Sequence, residues 1–226
     1  MNEEPVIAGV VFDLDGLIVN TEDLYEEVGA HLLQRRGKAF TQPLLDAMMG
    51  RPTPVALQIM IDWYGLDATV AQLVAETDTI FPAILDARLK TMPGFMNLLA
   101  ALEAARVPRG VATSSRRSFV ADILSRLNLQ DRFQFVLTSE DVTEGKPNPE
   151  IYERASERLG LPPAQVMVLE DSENGCRAAI AAGTYAVAVP GAHSKAHNFD
   201  GCSLLATSLA DERIYGRLRL PPPTSP

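Results

Sequence analysis

The sequence predicts an α/β fold, a Rossmann-like parallel sheet interrupted by an inserted all-helical block. Three observations carry this expectation. The apolar run from Ile7 to Phe12 reads as a strand covered on both faces. After "TMPG", short apolar runs alternate with helix-length stretches, the pattern of a parallel sheet. Between the two, residues 20 to about 88 offer no strand pattern.

The elements follow in order. The first strand ends at Phe12, and "DLDG" comes next. A helix starts near Thr21 in "TEDLYEEVGAHLLQRRG", with Leu24, Val28, His31, Leu32 and Arg35 near one face and Gly37 as its stop. Similar patterns recur in "PVALQIMIDWYG" and "TVAQLVAETDTIFPAILDARL". Then come a helix in "FMNLLAALEAAR", a strand in "PRGVAT", a helix in "SFVADILSRLNL" and a strand in "FQFVLT". The series closes with a helix in "NPEIYERASERLG", a strand in "QVMVLE", a helix in "ENGCRAAIAAG" and a strand in "TYAVAVP". The first strand belongs with these by composition, so the helical block is inserted between the first and second strands. The expected division is residues 1–18 with 90–218 for the sheet domain, 19–89 for the helical block, and 219–226 as a flexible tail.

Composition narrows the function classes. The 226 residues are 46% hydrophobic and 22% charged, an ordinary globular balance with room for a sizeable core. The net charge of -9 argues against the phosphate backbone of nucleic acid as a partner. No apolar run reaches membrane-spanning length, and "MNEEP" lacks a basic leader region. Cys176 and Cys202 form no disulfide framework or zinc spacing, which fits a reducing compartment. A cytoplasmic monomer with no membrane partner is expected. No "GxxxxGK[ST]" occurs, and no "GxGxxG" follows the first strand. His31, His193 and His197 make no metal spacing with a cysteine and are read as structural or solvent-facing, and Trp63 as a packing residue.

Four strand ends carry polar groups: Asp13 and Asp15, Thr113 and Ser114, Ser139 with Lys146 beyond it, and Glu170 and Asp171. Ligands of open α/β sheets bind outside those carboxyl ends. Asp13 is placed to attack phosphorus and form an acyl phosphate. Asp15 is the general acid and base, a role that needs a raised pKa, for which neighbouring acids supply a like-charge reason. Gly16 permits a turn that brings backbone close to a ligand. Asp13 and Asp171 are read as side-chain ligands of Mg²⁺, with the backbone carbonyl of Asp15 as a third. Glu170 either joins them or orients a water or the lysine. Thr113 and Ser114 are phosphate-binding hydroxyls near a helix start, with Ser114 or Ser115 as its cap. Lys146 neutralises nucleophile and phosphate together. Each group has a plainer reading as a turn, cap or solvated residue. No plain reading explains two acidic strand ends that match.

Together "DLDG", "TSS", "KPNP" and "EDSENG" resemble the haloacid dehalogenase-like hydrolases, in that family's order and on its strands. The likeness runs from about Val6 to Pro190. It implies a discontinuous hydrolase core with the first strand at its centre and an inserted helical cap. It also implies the roles above for Asp13, Asp15, Thr113, Lys146, Glu170 and Asp171. The nearest group by resemblance is the β-phosphoglucomutases and sugar-phosphate phosphatases. The mutases carry a cap histidine where this chain has Tyr25 and a cap arginine where it has Thr53, three residues after Gly50. These departures favour a Mg²⁺-dependent phosphatase of a small phosphorylated metabolite over a phosphomutase. A catalytically silent phosphate-binding protein is the third class, and the complete carboxylate set argues against it. Substrate choice is expected on the insert, with Thr21 and Arg51 as binding candidates beside Glu22, Tyr25, Thr53 and Trp63. Tyr25 and Trp63 fit a packed cap interior equally well. Hinges are expected near Leu17 to Asn20 and Arg88 to Gly94.

Overall fold

A computed structural model describes residues 5–48, 51 and 53–223. The chain divides into two compact units, Met1–Val19 with Lys90–Pro226, and Asn20–Leu89. The second unit holds helices α1 (Thr21–Gln34), α2 (Gln42–Met48), α3 (Thr53–Tyr64) and α4 (Val70–Arg88). Gly50 lies outside the described residues.

Helix α1 buries Leu24, Val28 and Leu32, as its periodicity predicts. His31 and Arg35 are corrected: both are exposed, and Gly29 and Leu33 widen the buried stripe instead. A charged head inside the unit needs a partner, so Arg35 stays outside, 3.7 Å from Glu76. Tyr25 stacks on Phe81 of α4 with ring centroids 4.9 Å apart. Helix α4 starts in a reciprocal cap, where the Thr69 hydroxyl accepts the Gln72 N–H and Gln72 accepts the Thr69 N–H. Trp63, read as a packing residue, is 48% exposed on α3, while Met60 of the same helix is fully buried.

In the first unit the described strands are β1 (Gly9–Phe12), β2 (Arg109–Ala112), β3 (Val136–Leu137), β4 (Val166–Glu170), β5 (Tyr185–Ala188) and β6 (Leu204–Leu205). They form one sheet in the order β3-β2-β1-β4-β5-β6, and every neighbouring pair is parallel. The helices of this unit are α5 (Phe95–Ala104), α6 (Arg117–Arg126), α7 (Glu150–Leu159), α8 (Glu173–Ala181) and α9 (Glu212–Arg217).

All four residues of β1 are buried, which is why the strand reads as continuously apolar. Val11 joins a cluster with Ile151, Tyr152 and Ala155 of α7 and Ala178 of α8. The next residue alternates away, and the Phe12 ring meets Phe95 of α5 edge-on at 5.7 Å.

The strand order reverses direction beside β1. The chain goes from β1 to β2 to β3 on one side, then to β4 on the other. Such a switch point opens a crevice at the carboxyl ends of the two strands. The register sets Phe12 level with Val111 of β2 and Leu169 of β4. Asp13, Thr113 and Glu170 therefore leave the sheet at nearly one height.

The edges depart most from the sequence reading. Only Val136 and Leu137 of "FQFVLT" pair, with one neighbour. The short edge strand β6 and helix α9 were not foreseen. The flexible tail expected from residue 219 is corrected at Leu220, which is buried and whose N–H donates to the Tyr215 carbonyl at 2.9 Å. Residues 224–226 lie outside the described residues. Among the described residues, no helix is long and apolar enough to cross a membrane.

Candidate active site

The site grows out of the ends of β1 and β4. The Asp13 N–H donates to the Leu169 carbonyl at 3.0 Å, so its backbone still belongs to the sheet. The chain then turns back, with the Gly16 N–H on the Val19 carbonyl at 2.9 Å. Gly16 has φ +76°, and a Cβ there would stand 2.4 Å from Asp171 Oδ2. Both the backbone angle and the close approach demand glycine. The loop is thereby pressed against the carboxylate that follows β4.

Lys146 reaches in from the loop before α7. Its Nζ donates to Asp13 Oδ1 at 2.5 Å, to Glu170 Oε1 at 2.6 Å and to the Ala112 carbonyl at 3.0 Å. Three acceptors match the three donors of an ammonium. The lysine side chain is only 5% exposed. Burial alone works against its charge, but Asp13 and Glu170 outweigh that and hold the ammonium above its ordinary range. For Asp13 burial is the main influence and pushes the carboxyl upward, aided by Glu170 and Asp15 and opposed by Lys146. More positive charge at this point would relieve it.

Glu170 is held from four directions. Oε1 accepts from Lys146 and from the Tyr152 hydroxyl at 2.6 Å. Oε2 accepts from the Ser172 N–H at 3.2 Å and its hydroxyl at 3.0 Å. Ser172 also caps α8, its oxygen accepting the Gly175 N–H at 3.1 Å. Ser172 therefore caps the helix and holds Glu170 at once. Gly175 lies so close that a Cβ would fall 1.7 Å from Glu170 Oε1. Gly175→Ala is expected to cost about 1–3 kcal/mol and to displace Glu170 from Lys146. Denaturant unfolding checks this, and a wild-type midpoint would refute the packing argument.

Oxygen atoms of Asp13, Glu170 and Asp171, one from each, lie within 4.8 Å of one another, and all three residues are buried. An all-oxygen, acid-rich set with one lysine among it fits a hard divalent cation. Of the three, Glu170 already accepts four hydrogen bonds.

Asp15 is held by two hydroxyls. The Thr113 hydroxyl donates to Asp15 Oδ2 at 3.2 Å and the Ser115 hydroxyl at 2.7 Å. The expected capping role of Ser114 or Ser115 is corrected. The cap residue of α6 is Arg116, with no side-chain cap bond, and Glu140 accepts the Arg117 N–H at 3.1 Å. Ser114 is exposed beside this cluster, and Arg117 pairs outward with Asp141 at 2.7 Å. His197 Nδ1 accepts the Glu173 N–H at 3.4 Å.

The fold thus brings together Asp13, Asp15, Gly16, Thr113, Lys146, Glu170 and Asp171. Thr21 and Arg51 stand on the helical unit, Thr21 buried at the start of α1 and Arg51 exposed between α2 and α3. Sequence reasoning missed Tyr152, Ser172 and Ser115 as partners of the acids. Ser172 and Ser115 were hidden behind ordinary cap readings. The signal for Tyr152 is a phenol on the buried stripe of α7, since a buried hydroxyl needs a partner.

A family model described as haloacid dehalogenase-like hydrolase matches residues 10–189. The chain is 34% identical over 184 residues to validoxylamine A 7'-phosphate phosphatase of Streptomyces hygroscopicus subsp. limoneus, covering 81% of this chain and 85% of that protein. It is 32% identical over 174 residues to phosphorylated carbohydrates phosphatase of Thermotoga maritima, covering 77% and 81%. Among solved structures, that of a candidate β-phosphoglucomutase from Thermotoga maritima superposes with a TM-score of 0.79 at 27% identity, covering 94% of this chain and 97% of that one.

Proposed function

This chain belongs to the haloacid dehalogenase-like hydrolase family, and on that premise we propose that it hydrolyses a small sugar phosphate through an aspartyl-phosphate intermediate with Mg²⁺. It is a phosphoric monoester hydrolase by family and by its phosphatase relatives. The observation that supports the finer reading is that the two aspartates have different hydrogen-bond partners. Asp13 is buried on Lys146 beside the other acids, and Asp15 is held on its own pair of hydroxyls.

The roles follow from those surroundings. The Asp13 carboxylate attacks phosphorus, and the bond from phosphorus to the ester oxygen breaks. Asp15 gives its proton to that departing oxygen. Asp15 then takes a proton from water, which attacks the acyl phosphate and releases inorganic phosphate and the Asp13 carboxylate. Lys146 holds Asp13 in place and offsets charge on the transferring group. Asp13, Asp171 and the Asp15 carbonyl would hold Mg²⁺, which would supply positive charge against the acids and the phosphate. Glu170 fixes the lysine.

The helical unit is proposed as the cap that selects substrate, with Thr21 and Arg51 on it. The exposed Tyr25, Thr53 and Trp63 are further candidates. Hinges at its two connections would let it close. A cytoplasmic monomer is part of the proposal, with the free thiols Cys176 and Cys202 as support for a reducing compartment.

A phosphomutase is the second reading, favoured by the structural likeness to the candidate β-phosphoglucomutase. One assay separates the two. A panel of hexose and pentose phosphates is expected to release inorganic phosphate with Mg²⁺ and to stop on chelation. β-Glucose 1-phosphate is expected to give no glucose 6-phosphate, with or without glucose 1,6-bisphosphate. Efficient glucose 6-phosphate formation with little phosphate release would assign the mutase. Full turnover after chelation would remove the metal from the mechanism.

A further inference from the structure

The proposed acid/base is held by more than the phosphate-binding hydroxyl. Ser115 makes the shorter bond to Asp15, 2.7 Å against 3.2 Å from Thr113, across a hundred positions of chain. Ser115 is itself clamped. Its N–H donates to Thr113 Oγ1 at 3.0 Å. Its carbonyl accepts from the Ser139 N–H at 3.1 Å and from the Ser139 hydroxyl at 3.3 Å. Ser139 opens a short 3₁₀ turn, Ser139–Asp141, which Asp141 closes by accepting the Thr138 N–H at 2.8 Å and hydroxyl at 2.7 Å. The Ser115 backbone is thereby fixed to two strand ends, and its hydroxyl is directed at Asp15. It serves no helix cap, since the cap residue of α6 is Arg116.

We infer that Ser115 is the positioning residue that aims Asp15 at the ester oxygen, an inference that rests on the phosphatase reading above. Two hydroxyl donors on Oδ2 fill its lone pairs. The carboxyl plane cannot swing without breaking both bonds. Thr113 shares the hold. A phosphate oxygen bound by Thr113 would compete for that hydroxyl, so Ser115 is the partner that persists when substrate is present.

A leaving-group comparison tests this. An alkoxide needs a proton as it departs, whereas p-nitrophenolate leaves without one. The quantity is kcat/KM, which reports the steps through phosphoryl transfer and omits hydrolysis of the intermediate. The substrates are p-nitrophenyl phosphate and the best sugar phosphate of the panel. Complete loss of a general acid costs about 10²- to 10⁴-fold. Ser115→Ala, which misaims the acid without deleting it, is expected to lower the sugar-phosphate value about 30-fold and the aryl value no more than about threefold. Ser115→Thr keeps the hydroxyl and should return the ratio of the two values toward wild type. The ratio does not depend on the fraction of enzyme that is folded. An equal loss on both substrates would overturn the inference, as would an unchanged sugar-phosphate value or a Ser115→Thr ratio matching Ser115→Ala. A wild-type enzyme inactive on both esters would instead overturn the phosphatase reading, and this inference with it.

Discussion

Asp13→Asn is expected to eliminate turnover, by about 10⁴-fold or more in kcat, in a protein that still folds. The change is nearly isosteric. The amide oxygen can still accept from Lys146 as Oδ1 does at 2.5 Å, so the local hydrogen bond survives. The proposed nucleophile does not, because an amide oxygen cannot form the acyl phosphate. Stability is expected to stay within about 1 kcal/mol, since replacing a buried acid also relieves its repulsion with Glu170 and Asp15. Phosphate release and thermal unfolding, read on the same sample, check both halves. A companion variant locates the intermediate. Asp15→Asn slows both chemical steps and, with a good leaving group, should trap one phosphoryl group on Asp13, seen by peptide mass analysis after rapid quench. Wild-type turnover in Asp13→Asn, or phosphate trapped on another residue, would remove Asp13 from this role.

Lys146→Met is the second large effect, and it strikes both activity and stability. The ammonium is the cation that Asp13 and Glu170 share, at 2.5 Å and 2.6 Å. Deleting one partner of a buried ion pair leaves charge without compensation, at about 3–5 kcal/mol. Methionine fills much of the volume, so the loss reports charge more than a cavity. Turnover is expected to drop about 10³-fold, because the same group is proposed to offset charge developing on the phosphoryl group. The stability deficit should be largest after chelation and shrink on adding Mg²⁺, whose charge would fall on some of the same acids. Urea unfolding with and without Mg²⁺ measures this. A chelated variant as stable as wild type would show that Lys146 does not compensate the acids.

Much of this was legible from short runs of residues. The apolar stretch before Asp13 is continuous because β1 has neighbours on both sides and helices on both faces. The acids after β1 and β4 stand out because a charge at the end of such a strand calls for a purpose. Elements with weak local signals were harder to read. Strand β6 is two residues long and has one partner, so period-two alternation had nothing to act on. The start of α9 had a readable signal in Asp211, whose side chain accepts the Arg213 N–H at 3.0 Å. Trp63 shows the opposite failure, since size and apolar character do not say which way a helix faces.

The sequence by itself determined the strands other than the edge strand β6, their polar ends and the acidic character of the site. All of these depend on neighbours along the chain, where periodicity and turn residues act within a few positions. Only the tertiary structure decided how the polar groups are shared. Glu170 is filled by Lys146, Tyr152 and Ser172, and Asp15 is held by Ser115 as well as Thr113. A hydrogen bond forms only within about 3 Å and along a narrow range of directions. Which hydroxyl meets which carboxylate therefore depends on sheet register and loop path across a hundred residues, and those are set by packing.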